Sequence, residues 1–253
     1  MRLSGKTAIV TGAAQSIGAA VARRYAAEGA VVAIVDRACP ELAEAVVDEI
    51  NASGGEAFFV QADVSREDEV RRMVREIADR CGTVHILVNN AGIDPRKRWT
   101  EITADDWDQV MGVNVRSQFL CAKAVHPYMQ AQRYGKIVNV SSVTFFTGQA
   151  NFVHYVASKG AVVGFTRALA REVAGDGITV NCLTPGAVLT ETELAKVGSE
   201  ELKEAERKLA EWQSFARRET PADLEGAFVF LASPDSDFVT GQTLNVDGGW
   251  MMH

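Results

Sequence analysis

The sequence predicts an α/β fold: a doubly wound, seven-stranded parallel sheet flanked by helices, built as a single domain over residues 1–253. Three observations predict it. Short apolar runs alternate with longer helical patterns along the whole chain. Most of those runs are nearly continuous in apolar residues rather than alternating, as in parallel strands covered on both faces. The length, 253 residues, suits one large α/β domain. Strand–helix alternation with right-handed crossovers then sets helices on both faces of the sheet.

The elements follow in order. TAIVT (7–11) runs into a glycine-bearing turn and the helical stretch 17–29, which closes on a glycine. AVVAIVD (30–36) and AFFVQAD (57–63) are the next two strands, and the second leads into EDEVRRMVREIADRCG (67–82), again ended by glycine. HILVNN (85–90) and KIVNVSS (136–142) follow, then a helix from about Phe152 to Ala174. ITVNCLTP (178–185) and QTLNV (242–246) complete the seven. Residues 191–218, after the sixth strand, form a charged helical insertion. It reads either as a solvated amphipathic helix or as a substrate lid. Ligands bind beyond the carboxyl ends of strands in open α/β sheets, which places such an insertion well for a lid.

Composition excludes several classes. Hydrophobic and charged contents of 47% and 23% are ordinary for a soluble globular protein, and a net charge of −7 argues against nucleic-acid binding. No run of 18 apolar residues is present, so no membrane span is expected, and the first six residues lead into no secretory apolar region. Cys39, Cys81, Cys121 and Cys182 form no Cys-x-x-Cys pair, and the four histidines are scattered, so no metal site is expected. Reduced thiols and a cytoplasmic location fit this pattern.

Two local features carry chemistry. Tyr155 and Lys159 are one helical turn apart on a single face. A tyrosine titrates near ~10, and a neighbouring ammonium favours the phenolate, so such a pair can act as general acid and base. By itself the spacing also suits a half-buried tyrosine above a solvated lysine. Upstream, Gly12 and Gly18 bracket a strand-to-helix turn with Gln15, Ser16 and Ile17 between them. Such a turn can present backbone amides and a helix N-terminus to a pyrophosphate. Ser16 stands where a middle glycine is expected. It brings a strained Cβ if φ is positive, or a hydroxyl donor for a phosphate. Asp36 ends the second strand, where a carboxylate can accept from ribose hydroxyls and repel a 2′-phosphate; Arg37 beside it weakens that exclusion.

Together with Asn89-Asn90-Ala91-Gly92, Asn114, Ser142 and Pro185-Gly186, these residues form an ordered set that resembles the short-chain dehydrogenases/reductases across essentially the whole chain. The resemblance implies a Rossmann-type fold and an NAD-dependent oxidoreductase acting on CH–OH groups. It makes Tyr155 the acid/base, and Lys159 the group that lowers its pKa and holds the nicotinamide ribose. Ser142 orients the substrate oxygen (chosen over Ser141 by its 13-residue spacing to Tyr155), and Asn114 holds a relay water. The implied cofactor contacts are Gly12, Gln15, Ser16, Ile17, Gly18, Asp36, Arg37, Asp63, Val64, Asn90, Ala91, Gly92, Pro185, Gly186, Val188 and Thr190, besides Tyr155 and Lys159. Asp36 favours NAD over NADP. Family members are usually tetramers, so a homotetramer is expected, with no nucleic-acid or membrane partner.

The resemblance also places Arg96, Thr144, Gln149, Phe152, His154 and Ala187 at the substrate. This aromatic set with a few polar handles suits a ring-bearing, sugar-like or anionic small molecule. Arg96-Lys97-Arg98 is either a solvated basic loop or an anion anchor. The text looks most like bacterial catabolic alcohol dehydrogenases, and the leading expectation is a dehydrogenase of a secondary alcohol or polyol. A 3-oxoacyl-thioester reductase using NADPH and a non-catalytic nucleotide-binding scaffold are the alternatives.

Overall fold

The computed structural model describes residues 1–194, 204, 207–209 and 211–252. Its centre is one seven-stranded sheet, β1 Thr7–Thr11, β2 Val31–Asp36, β3 Glu56–Gln61, β4 Ile86–Asn89, β5 Gly135–Val140, β6 Ile178–Pro185 and β7 Thr243–Val246. The order is β3-β2-β1-β4-β5-β6-β7 and every pairing is parallel. The sheet expected from the sequence is therefore present, with strand ends within about two residues of the apolar runs.

Alternation along each strand explains why those runs are continuous. Ala8, Val10, Val32 and Ile34 point into one core, with Val21, Ala22 and Tyr25 of α1 (Ser16–Ala27), Val46, Val47 and Ile50 of α2 (Pro40–Ala52), and Phe228. Ile9, Ala33 and Val35 point into the other core, under α3 (Glu67–Cys81). Both faces are apolar because both are covered. Beyond α3 come α4 (Ala104–Met111) and α5 (Ser117–Ala131), joined by a π-helical turn, Gly112–Arg116. A short α6 (Thr144–Thr147) precedes the long α7 (Val153–Val173); α8 (Glu191–Leu194) and α9 (Pro221–Ala232) follow β6. Among the described residues, no helix is long and apolar enough to cross a membrane.

The strand order reverses between β1 and β4, so the loops leaving their carboxyl ends diverge and open a crevice, the usual ligand site of such sheets. The insertion at 191–218 is helical only in part. Glu191–Leu194, 207–209 and 211–212 are helical, much of the rest lies outside the described residues, and 213–218 is not helical. There the Gln213 side chain bonds the carbonyls of Phe215 and Arg217, turning the chain back so that Glu219 pairs with Val188.

Candidate active site

A cleft of about 730 Å³ runs along the carboxyl ends of the strands. It is lined by every candidate residue read from the sequence except Asn114 and His154.

At one end the glycine turn is packed so closely that side chains are excluded. A Cβ on Gly12 would lie 2.8 Å from the Ala91 Cα, and one on Gly18 would lie 2.3 Å from the Gly12 carbonyl oxygen. The Asn90 amide holds the turn by donating to the carbonyls of Thr11 and Gly12, both at 3.0 Å. Thr11 Oγ1 in turn accepts from the backbone N–H groups of Asn90 and Ala91. Helix α1 starts with no side-chain cap and no acidic residue in its first turn. The dipole of that N-terminus favours an anion, and this close cradle fits the pyrophosphate of a dinucleotide. Ser16 has φ 54°, in the left-handed region, which is the first of the two alternatives read for it, and its hydroxyl donates to Glu191 Oε2 at 3.2 Å.

Asp36 accepts from the N–H groups of Ala14 and Ala38 at 3.3 and 3.2 Å, tying the end of β2 to the glycine turn. Arg37 is matched by Asp63 at 3.7 Å. Burial pushes the Asp63 carboxyl up, but hydrogen bonds from Ser65 and the Arg37 charge outweigh this and hold it below its usual range.

Ser142, Tyr155 and Lys159 meet in the middle of the cleft. Ser142 Oγ accepts from both the N–H and the hydroxyl of Thr144, at 3.2 and 3.0 Å. With both lone pairs engaged, its own O–H is left to donate. The Tyr155 ring meets Phe152 edge-on, with centroids 5.6 Å apart. Burial raises the Tyr155 phenol above its ordinary value, the Ser142 hydrogen bond pulls it down, and the Asp94 charge adds to the rise. The lowering expected from Lys159 does not govern this arrangement. The Lys159 ammonium lies 5.4 Å from the ring centroid and donates to the Val140 carbonyl at 3.0 Å. Burial brings the lysine itself down to about 8, against the opposing pull of Cys182 and Asp94.

Asn114 sits in the π-helical turn, fully buried, one layer behind the cleft. Its Nδ2 donates to the Ile93 carbonyl and to Ser158 Oγ, and its Oδ1 accepts from Ile93 N–H at 2.8 Å. One Oδ1 lone pair remains. A Cβ on Gly92 would lie 3.3 Å from that oxygen and 3.7 Å from Lys159 Nζ, so the glycine keeps open the space between them.

The substrate-side residues divide. Thr144, Gln149, Phe152 and Ala187 line the cleft. Arg96 lines it too, but its Nη2 is held by both Glu193 oxygens, at 2.9 and 2.8 Å, so it is not the free cation that an anchor implies. His154 is a correction. It is fully buried away from the cleft, neither ring nitrogen has a hydrogen-bond partner among the described residues, and burial lowers its pKa, with Asp106 of α4 opposing and Lys97 adding to the shift. Successive helix positions turn by about 100°, so the neighbour of Tyr155 faces α4 instead of the cleft.

Trp212 and Arg218 of the 191–218 insertion line the cleft, Trp212 stacked on Trp250 at 6.0 Å; among the residues that escaped the sequence reading are Trp250 and Glu219, the latter beneath the Gly186–Leu189 loop. Trp250 gave no periodic signal, and Glu219 directly follows the charged run that resembles a solvated helix.

This fold and this cleft define a dinucleotide-dependent oxidoreductase architecture, and the chain belongs to the short-chain dehydrogenase/reductase family. A family model described as "Enoyl-(Acyl carrier protein) reductase" matches residues 12–251. The 3-oxoacyl-(acyl-carrier-protein) reductase FabG of Staphylococcus epidermidis is 38% identical over 247 residues, 98% of this chain and 99% of that one. A chain from Beutenbergia cavernae, assigned as an NAD(P)-dependent gluconate 5-dehydrogenase and crystallised with NADP at low occupancy, is 40% identical with a TM-score of 0.90, covering 98% and 97% of the two chains. One from Agrobacterium tumefaciens, assigned as a gluconate dehydrogenase, is 35% identical with a TM-score of 0.93, covering 98% and 96%. The protein is thus an oxidoreductase acting on CH–OH groups or the corresponding carbonyls.

Proposed function

We propose that this protein interconverts a small secondary alcohol or polyol and its ketone with NAD(H), Tyr155 serving as general acid/base. The observation that carries the reading is the meeting of Ser142, Tyr155 and Lys159 in the same cleft as an uncapped, glycine-cradled helix N-terminus. The dinucleotide would supply hydride transfer, and the protein supplies position and proton management.

Each group has a definite part. The Ser142 O–H, its lone pairs taken by Thr144, turns from Tyr155 to donate to the substrate oxygen and fixes it beside Tyr155. In reduction the Tyr155 O–H gives its proton to the substrate oxygen; in oxidation the same oxygen takes the alcohol proton, once the positive charges of Lys159 and an oxidised nicotinamide offset its burial. Lys159 has one N–H on the Val140 carbonyl and two left for a ribose hydroxyl and a water. The spare lone pair on Asn114 Oδ1 holds that water across the gap at Gly92. Protons then travel between Tyr155 and solvent through Lys159 and the water.

NAD is favoured by Asp36 at the end of β2, where a carboxylate opposes a 2′-phosphate, and by Arg37 being matched to Asp63. Residues 191–218 act as the lid of one catalytic domain. Polyol acids of the gluconate type are candidate substrates, in line with the two structural relatives. A cytoplasmic homotetramer is part of the same reading.

A second reading, a 3-oxoacyl-thioester reductase using NADPH, is favoured by the curated relatives of that name at 38–39% identity. One experiment separates them. Turnover of polyols and aromatic carbinols with NAD supports the first, whereas reduction of acetoacetyl thioesters with NADPH at higher kcat/KM, and no alcohol oxidised with NAD, replaces it with the second.

A further inference from the structure

Two consecutive residues hold every residue of the Gly186–Leu189 loop. Glu219 Oε2 accepts from Gly186 N–H at 2.7 Å, and the Glu219 carbonyl accepts from Leu189 N–H at 2.7 Å. Arg218 Nε donates to the Ala187 carbonyl at 2.9 Å, and its Nη2 approaches the Val188 carbonyl at 3.5 Å. The arginine lines the cleft, while the glutamate lies below the loop, 6% exposed.

The Glu219 carboxyl is not needed to satisfy the loop. Gly186 N–H already has a ladder acceptor in the Val246 carbonyl at 3.0 Å. The other carboxyl oxygen, Oε1, has no hydrogen-bond partner among the described residues, a costly arrangement for a buried polar atom. The loop rests directly on the carboxyl: a Cβ on Gly186 would come 2.9 Å from Glu219 Oε2. A buried group retained at such cost, redundant for hydrogen-bond satisfaction and in contact with a cleft-lining loop, has a positional role.

We propose that Glu219 is a positioning residue which, with Arg218, sets the Gly186–Leu189 loop against the nicotinamide end of the bound dinucleotide. The proposal rests on the dinucleotide-binding reading above. Burial raises Glu219 to about 8, the Gly186 N–H opposes this, the Asp223 and Asp247 charges add to it, and Arg217 offsets part. Near neutral pH the group is therefore mostly a neutral acid, with Oε2 accepting. Above about 8 it ionises, which strengthens its bond from Gly186 N–H and adds repulsion from Asp223 and Asp247.

The test measures equilibrium binding of NADH, by nicotinamide fluorescence, and of ADP-ribose, which lacks only the nicotinamide. Glu219→Ala is expected to weaken NADH by about tenfold or more while ADP-ribose stays within about threefold. Glu219→Gln, which keeps an acceptor, is expected to bind NADH within about threefold of the wild type. It should also lack any change in NADH affinity that the wild type shows as pH crosses about 8. Should Glu219→Ala fail to fold, the Glu219→Gln pH profile and the NADH-to-ADP-ribose ratio of Arg218→Met stand in for it. Unchanged NADH binding by Glu219→Ala, equal loss of both ligands, or a Glu219→Gln variant as weak as the alanine overturns the proposal. A wild-type protein that binds neither ligand overturns the dinucleotide reading itself, and the proposal falls with it.

Discussion

Arg96, in the loop after β4, and Glu193, on the short helix after β6, are joined across the mouth of the cleft, Arg96 Nη2 lying 2.8 and 2.9 Å from the two carboxylate oxygens. The anion that Arg96 recognises is thus supplied by the chain itself. The Arg96 guanidinium also lies 5.5 Å from the Phe152 ring centroid, and Phe152 abuts Tyr155, so the ion pair is linked through one aromatic contact to the acid/base.

Side-chain exposures of 44% and 22% limit what the pair contributes to stability, to about 1 kcal/mol at most. Arg96→Ala and Glu193→Ala are each expected to leave the melting temperature nearly unchanged and to alter KM for the substrate by about two- to fivefold. The double variant should match either single one, because both remove the same contact. Additive KM effects in this cycle would show that the two residues act separately.

Gly18→Ala places a Cβ 2.3 Å from the Gly12 carbonyl oxygen and 2.8 Å from the Ala13 Cα, neither of which can yield without moving the turn. Expected are a stability loss of about 2 kcal/mol or more in urea titration and at least about tenfold weaker ADP-ribose binding. Wild-type affinity in this variant would remove the glycine turn from the binding site.

Ser16 holds φ 54°, a conformation that costs a side-chain-bearing residue about 1 kcal/mol. Ser16→Gly and Ser16→Ala both lose the exposed bond to Glu191, so they differ mainly in the strained Cβ. Calorimetry should find the glycine variant the more stable by about 0.5–1 kcal/mol. The opposite order would mean that the turn relaxes around the alanine.

Glu219 also gives the fold a pH signature. The unfolded chain releases this proton near 4.5 and the folded protein near 8. A raised acid contributes stability that is complete below 4.5 and is lost as pH rises through 8. The depressed carboxylates Glu28, Asp63, Asp106, Asp176, Glu204 and Asp223 have the opposite sign and act at more acidic pH. The lowered histidines His85 and His154 oppose this inside the window, so the signature is a difference: from pH 4.5 to 8 the wild-type melting temperature should fall relative to that of Glu219→Gln. Parallel curves for the two proteins would contradict the assignment.

What was legible in the sequence depended on whether neighbours along the chain were also neighbours in space. Strand runs such as TAIVT could be read because Ile9 and Val10 enter different cores and both must be apolar. The cleft could be read because Gly12, Asn90, Ser142 and Pro185 each follow a strand end, and the sheet brings those ends together. His154 was misplaced because adjacency to Tyr155 is not adjacency on a helix face. The π-helical turn that buries Asn114 leaves no mark in composition. Glu219 escaped because a charged run does not reveal which carboxylate turns inward, and its partner Gly186 lies about 30 residues upstream.

The most direct measurement is the formation of reduced nicotinamide by absorbance, with wild type and Tyr155→Phe compared over polyols, hydroxy acids and aromatic carbinols, with NAD and with NADP. The account predicts turnover of at least one alcohol with NAD, and a fall in kcat of about 10²–10⁴ for Tyr155→Phe while NADH binding is retained. Equal turnover by Tyr155→Phe would contradict the acid/base role on which the account rests.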